Sequence, residues 1–180
     1  MNPIAFWHAE HVYFGHLLDL LRRQLDLLHH GERPNFQLIL DVLAYLHDYG
    51  DECHHPREDK AFERLLARSP DLKLVLQRLH QEHRIIANAG ERLRGLIEAA
   101  LQDSPVRRAE VETALATYLV YYGNHIAREE EDVLTRAAQV LTDEDWEAVK
   151  HAVPATNDPL FGSHPEARYR ELRRQLALET

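Results

Sequence analysis

The 180-residue chain has little of what several common protein classes require. It has a single cysteine, Cys53, so it cannot form an internal disulfide and it fits a reducing compartment. Its 7 glycines and 8 prolines are too few for a loop-rich scaffold. Apolar residues make up 44% and charged residues 28%, which excludes a disordered or fibrous chain. The length predicts one domain, or two at most.

Long hydrophobic runs and an excess of positive charge are also missing. The longest stretch without a formal charge, Ala114 to Ala127, contains Asn124 and His125 and is too short and too polar to span a bilayer. The N-terminus lacks the basic start and apolar run of a signal peptide. The formal net charge is −9, and no basic patch indicates nucleic-acid binding. These features predict a cytoplasmic protein whose partners include neither nucleic acid nor a membrane.

The apolar residues recur at steps of three and four, which is the period of an α-helix. Asn or Ser before proline at positions 2–3, 69–70 and 104–105, and a break at 31–35, predict helix boundaries. We predict an all-α protein in which residues 1–141 form an antiparallel up-down four-helix bundle. Residues 142–180 are predicted to form a C-terminal appendage packed on the bundle. Capping residues there predict one or two short extra helices, near 143–152 and 165–178.

Histidine is what the sequence has in excess, with 13 residues, and it is the commonest metal ligand among side chains. The first and third predicted helices share the phrase His-x-Glu-His, which ends at His11 and His83. The second and fourth share His-x-x-Arg-Glu, at residues 54–58 and 125–129. Residues four apart lie on one face of a helix, and the apolar periodicity places all four phrases on buried faces.

Two buried carboxylates are costly, by several kcal/mol each, unless they are paired with charge or coordinated. Four imidazoles and two carboxylates are too many donors for one tetrahedral zinc ion, but they suit two first-row transition ions bridged by the glutamates. A lone histidine or a lone His-x-x-x-Glu pair is more often structural, so the prediction depends on the conjunction over four helices. The predicted metal ligands are His11, His54, Glu58, His83, His125 and Glu129.

One alternative stays open within the second helix. His55 and Asp59 have the same four-residue spacing as His54 and Glu58, but the face of the former pair continues into charged residues. The His54–Glu58 pair is therefore preferred. Pro56 removes one helical hydrogen bond and predicts a local kink there. Three further histidines are left open as supporting residues, extra ligands or core residues: His8, His47 and His80.

The phrases Glu10-His11 and Glu82-His83, the run 49–59 and the run 125–130 resemble the hemerythrin/HHE cation-binding family over about residues 4–140. The tail with residues 158–162 is similar to one bacterial subgroup of that family. The resemblance implies a four-helix bundle with a non-haem di-iron centre, two iron ions as the cofactor, and the same six ligands. Oxygen carriers of the family have a fifth histidine where this chain has Ala87. The resemblance thus implies fewer protein ligands on one iron and argues against oxygen transport.

From these features we predict a soluble, hemerythrin-like di-iron protein that binds or senses O2, NO or peroxide, or handles iron. A binding role is favoured over an enzyme, because no separate nucleophile, phosphate loop or substrate-pocket signature is found. Two alternatives stay open: a peroxidase- or ferroxidase-like enzyme, and a regulatory or interaction module with a structural cation. The expected partner is a small diatomic ligand or peroxide, and a homodimer is left open.

Overall fold

The computed structural model describes residues 3–102, 104–154 and 156–178, and the regular structure within them is entirely helical. In chain order the α-helices are α1 (Pro3–His29), α2 (Phe36–Tyr45), α3 (His55–Arg68), α4 (Lys73–Leu101), α5 (Arg108–Arg128), α6 (Thr135–Val140), α7 (Asp143–Ala152) and α8 (Arg170–Ala177). Short 3₁₀ turns, Pro70–Leu72 and Ala167–Tyr169, precede α4 and α8. The all-α prediction is confirmed for these residues. None of the described helices is long and apolar enough to cross a membrane.

Two helical runs contain a π-helical segment at a predicted ligand motif. Leu46–His54 joins α2 to α3, and Glu129–Leu134 joins α5 to α6. The first segment ends two residues before Pro56, which cannot donate a backbone hydrogen bond, so the helix is widened next to the position where the sequence predicts a kink. Gly50 lies in this segment, and a Cβ there would stand 2.8 Å from the hydroxyl oxygen of Tyr122. Glycine therefore lets the two helical runs approach each other closely.

Some predicted helix boundaries are confirmed. Asn35 caps α2 by accepting a hydrogen bond from the backbone N–H of Leu38, and Thr142 caps α7 in a capping box with Asp145. The break at 31–35 separates α1 from α2, and Gly31 adopts a positive φ of 79°.

Other predicted boundaries are wrong or lie outside the described residues. α5 begins at Arg108 and not at the Ser104-Pro105 dipeptide, and the carboxylate of Glu110 in its first turn accepts a hydrogen bond from the backbone N–H of Arg107. The last helical run begins at Ala167 rather than at Pro165. Asn2, predicted to cap the first helix, is outside the described residues.

The core consists of two apolar clusters with a polar layer between them. One cluster contains Phe14, Tyr49, Ile86 and Tyr122, among others. The other contains Trp7, Ala61, Leu79 and Val133, among others. On each long helical run, the predicted ligands fall between a residue of one cluster and a residue of the other. The predicted metal site is therefore a polar layer in the middle of the core.

The segment after α6 packs on the long helices at two places. α7 contacts α3, and Trp146 meets the Trp7 ring edge-on at 6.3 Å between centroids. α8 contacts α1 and α2, and Tyr169 is buried against Tyr45. Phe161 stacks on the ring of Tyr13 at 4.3 Å. The contact between α7 and α3 brings this segment close to the polar layer.

Candidate metal centre

All six predicted ligands are buried, with relative exposures from 0% for Glu129 to 6% for His83. α1 contributes His11, and α4 contributes His83. His54 ends the first π-helical segment, Glu58 lies in the first turn of α3, and Glu129 begins the second π-helical segment after His125. Contacts of 2.7–3.7 Å between imidazole nitrogens and carboxylate oxygens connect the six. The structure thus brings together side chains that are up to 118 positions apart in the sequence (11 to 129).

The two carboxylates divide these histidines into two halves. Oε1 of Glu58 lies 3.2 Å from Nε2 of His11 and 2.7 Å from Nε2 of His54, whereas its Oε2 lies 3.3 Å from Nε2 of His83. We call His11 and His54 the first half of the centre, and His83 and His125 the second half. Glu58 therefore directs one oxygen to each half.

Glu129 repeats this division. Its Oε2 lies 3.4 Å from Nε2 of His11, and its Oε1 lies 3.3 Å from Nε2 of His125 and 3.7 Å from Nε2 of His83. A carboxylate with this orientation is suited to bridge two cations, one in each half.

The hydrogen bonding of these atoms provides a test of whether a cation fits. Seven buried side-chain atoms lack a hydrogen-bond partner among the described residues, and five of them belong to the six predicted ligands: Glu58 Oε2, both carboxylate oxygens of Glu129, and Nε2 of His83 and of His125. Buried polar atoms are normally paired, so such a cluster of unpaired donors and acceptors calls for an explanation. Carboxylate oxygens and imidazole nitrogens that converge without hydrogen bonds form a donor set that fits metal cations.

A ring of outer carboxylates orients the imidazoles. In every case Nδ1, the other ring nitrogen, faces an acid on a different helical run. The pairs are His54 with Glu10 (3.0 Å), His83 with Asp59 (3.0 Å), His125 with Glu82 (3.3 Å) and His11 with Glu130 (2.7 Å). Such pairs fix the tautomer and orientation of a metal-binding histidine and make it a stronger base.

Sequence reasoning missed this ring, although the signal was present. Each acid is adjacent in sequence to a predicted ligand, as Glu10 is to His11 and Glu82 is to His83. Such an acid lies beside the centre, but it contacts Nδ1 of the histidine on the next helical run. Adjacency alone could have identified the acids, but not their partners, because the partners depend on how the helices pack.

The first half has two further supports that the sequence did not indicate. The indole N–H of Trp7 donates a hydrogen bond to Oε1 of Glu58 and lies 3.1 Å from Nε2 of His11. Glu10 is itself held by two hydrogen bonds from Arg57, at 2.6 and 2.8 Å, and by the hydroxyl of Tyr49. These contacts rigidify the acid that orients His54.

The buried carboxylates of the polar layer need neighbouring positive charge to stay ionised. Burial opposes ionisation of Glu58, but His54, His11 and His83 outweigh it and lower the pKa of Glu58 well below its usual range. Burial likewise opposes a charge on His83, but Asp59, Glu129 and Glu58 raise the pKa of His83 to about 12. The two glutamates thus stay ionised in the core only because cationic groups surround them, and metal ions meet the same demand.

His54 and His55 are both buried, so the structure does not force a choice between the pair His54–Glu58 and the pair His55–Asp59. His55 stacks on the ring of His83 at 4.2 Å. Burial lowers the pKa of His55 well below its usual value, and His83 adds to the effect, which favours the neutral imidazole. Asp59 lies at the rim, where it contacts His83 and His80.

The three histidines left open are all at the surface and lie outside the buried layer. Their side chains are between 48% and 59% exposed: His8, His47 and His80. Each contacts an acid that also contacts a buried histidine, so these histidines support the acids and do not reach the centre.

An apolar cavity of about 270 Å³ adjoins the first half. Trp7, His54 and Glu58 line it on one side. On the other side it is lined by Trp146 and by Val149, Lys150 and Val153, which come from α7 and its C-terminal end. The segment after the four long helical runs therefore forms part of the surroundings of the centre.

Comparison with known families gives a match over most of the chain. The model of the hemerythrin HHE cation-binding domain matches residues 2–137. Comparison with curated proteins and with solved structures gave no match. The matched range contains all six predicted ligands and the four outer acids, and it ends before α7.

Proposed function

This chain belongs to the hemerythrin HHE cation-binding domain family, and we propose that it is a non-haem di-iron protein that binds a small ligand such as O2, NO or peroxide, or handles iron. The family match and the buried His/Glu cluster make it a metal-binding protein. The identity of the metal, the number of ions and the ligand are the parts that we propose.

The observation that carries the proposal is the divided orientation of Glu58 and Glu129. Each half of the centre receives two histidine nitrogens and one oxygen from each glutamate. A single ion would leave the histidines of one half without a cation. Two ions would use all five of the unpaired buried atoms that belong to the predicted ligands.

The donor set also supports iron. Two histidines with a carboxylate form the set that is typical of non-haem iron(II), whereas a structural zinc site is commonly tetrahedral and closed. A bound pair of iron ions would supply reversible redox chemistry toward small ligands. The protein's part is to hold six donors in place, through the outer acids and the Trp7 hydrogen bond, in a layer shielded from water.

We also propose the antiparallel four-helix bundle predicted from the sequence. The four long runs pass between the two apolar clusters in alternating directions, which supports this arrangement. The division of the chain after residue 141 and the cytoplasmic location stay predictions, and a homodimer stays open.

The proposal can be tested by metal loading. Protein stripped with a chelator and reconstituted with iron(II) under anaerobic conditions should bind two irons per chain. A near-ultraviolet absorption band should then respond to O2, NO or peroxide. Because iron can also bind to surface histidines, the control is a Glu58→Gln/Glu129→Gln double variant, which keeps all 13 histidines. Two tightly bound irons in that variant, or one in the wild type, would contradict the proposal.

The alternatives give different results in the same experiment. Catalytic turnover of peroxide or oxidation of added iron(II) would favour the enzyme. A colourless protein that retains zinc and shows no redox response would favour a module with a structural cation.

A further inference from the structure

We propose that His55 is a fifth histidine ligand of the metal centre and binds the ion of the second half, together with His83 and His125. This inference rests on the proposed di-iron function. It concerns a residue outside the six ligands predicted from the sequence, and it resolves the choice between His54 and His55 by using both.

The position of His55 on its helix supports this role. His54 precedes Glu58 by four residues and His55 precedes it by three, so both histidines lie beside the Glu58 side chain. His54 lies toward the first half, with its ring 5.1 Å from that of His11. His55 lies toward the second half, with its ring 4.2 Å from that of His83 and 5.6 Å from that of His125. A nitrogen of His55 is within 4.8 Å of donor atoms of Glu58, His83 and His125.

The surroundings of His55 resemble those of the other candidate ligands in having an acid at the outer nitrogen, although this acid lies one turn earlier on the same helical run and is not hydrogen-bonded to it. Its Nδ1 lies 3.1 Å from Oδ1 of Asp51, and Asp51 also contacts the exposed His47. The same order of exposed histidine, acid and buried histidine occurs at His80, Asp59 and His83. His55 is only 3% exposed. A buried histidine with an acid at its outer nitrogen and metal donors beside it has the arrangement of a ligand.

The donor count gives a reason for a fifth histidine. Ala87, one turn after His83, has no donor atom, so α4 supplies a single histidine to the second half. His55 would supply the third imidazole from α3 instead. The second half would then have three histidines and the first half two, and the two ions would differ in the number of protein ligands.

The direct test counts imidazoles in the cobalt(II)-loaded protein. Each histidine bound through one nitrogen keeps an N–H on the other, and cobalt(II) shifts that proton far outside the normal NMR range. We expect five such exchangeable signals in the wild type, one of which disappears in His55→Ala. Four signals in the wild type, all of them kept in His55→Ala, would overturn the inference.

Affinity provides the second measurement. His55→Ala should weaken binding of one of the two ions by at least about 100-fold in competition with a chelator, since even loss of an outer partner costs roughly 10–100-fold. Added imidazole should restore much of the loss by occupying the open space. His29→Ala is the matched control, because it removes an exposed histidine at the C-terminal end of α1 that contacts Glu112 and should leave both ions in place. Equal affinity in His55→Ala and His29→Ala would contradict the inference.

The two proposals fail in different ways. A wild type that binds two ions while His55→Ala keeps both at full affinity overturns only the role of His55. A wild type that binds a single ion overturns the di-iron function and this inference with it. Asp51→Asn keeps His55 and removes only the outer charge, so it should give an intermediate loss of affinity, which separates loss of the ligand from loss of fold.

Discussion

The two halves of the metal centre differ in what surrounds them. The first half, His11 and His54, adjoins an apolar cavity and receives the Trp7 N–H at Glu58. The second half, His83 and His125, is enclosed by aromatic rings. His55 stacks on the ring of His83, and the ring of Phe62 lies 5.9 Å from that of His83. The same donor types are thus placed once beside open space and once in dense packing.

This difference indicates separate tasks for the two halves. A small ligand needs space and an open coordination position, and the apolar cavity offers that space beside the first half. A half with three histidines has fewer positions open, so it is suited to hold its ion firmly. We therefore expect exogenous ligands to approach the centre on the side of His11 and His54.

The largest expected effect comes from the glutamates, which serve both halves. Glu58→Gln or Glu129→Gln replaces a carboxylate that is proposed to bridge the two ions by a neutral amide, and each should lose at least one ion and most of the ligand-dependent absorption. Metal analysis and the absorption spectrum measure this. Glu63→Gln, which changes an exposed acid on α3, is the control and should lose neither. A Glu129→Gln variant that keeps two ions would contradict the division of the centre into two halves that share the glutamates.

The next effect separates the halves. Asp59→Asn removes the charge that orients His83 and should weaken the ion of the second half by roughly 10–100-fold. The sequence favoured the pair His54 and Glu58 over the pair His55 and Asp59, but the contact of Asp59 with His83 gives Asp59 a part in orienting the second half. Chelator competition monitors the loss, and the first-half ion should be unaffected. Equal weakening of both ions would show that the halves are one cooperative unit.

The sequence predicted the six converging residues because helical periodicity and burial place them on inner faces without any knowledge of the packing. It could not predict the π-helical segments, since widening of a helix depends on local hydrogen bonding around Pro56 and on contacts such as Gly50 with Tyr122. It also treated His54 and His55 as alternatives. Adjacent residues of a regular helix point about 100° apart. His54 and His55 can therefore both bind metal only if other ligands lie on two sides of Glu58, and only the tertiary structure reveals this.

A smaller effect is expected at the cavity. Val153→Trp fills space beside the first half, so it should slow the response to O2 or NO several-fold while metal content stays at the wild-type level. Stopped-flow absorption measures the rate. Val120→Trp, at an exposed position on α5, is the matched control. An unchanged rate in Val153→Trp would mean that ligands reach the centre by another route.

The smallest effect concerns α7, which lines the cavity but lies beyond the family match. Thr142→Ala removes the N-cap of α7 and should lower the free energy of unfolding by about 1 kcal/mol, measured by denaturant titration. Both ions should remain bound, because α7 supplies none of the proposed ligands. Loss of metal in Thr142→Ala would show that α7 also supports the donors of the first half.

The same cap predicts a pH dependence. Burial opposes ionisation of Asp145, but hydrogen bonds from Thr142 and Arg68 lower its pKa below the usual value. A carboxyl whose pKa is lowered in the folded state contributes stability above its unfolded pKa of about 3.9, and the contribution is lost as the pH falls through the folded pKa. The difference in unfolding free energy between wild type and Asp145→Asn should therefore be constant near neutral pH and shrink in acid. A difference that grows as the pH falls would contradict the assigned contacts, and a loss of metal at neutral pH in Asp145→Asn would extend the first half to α7.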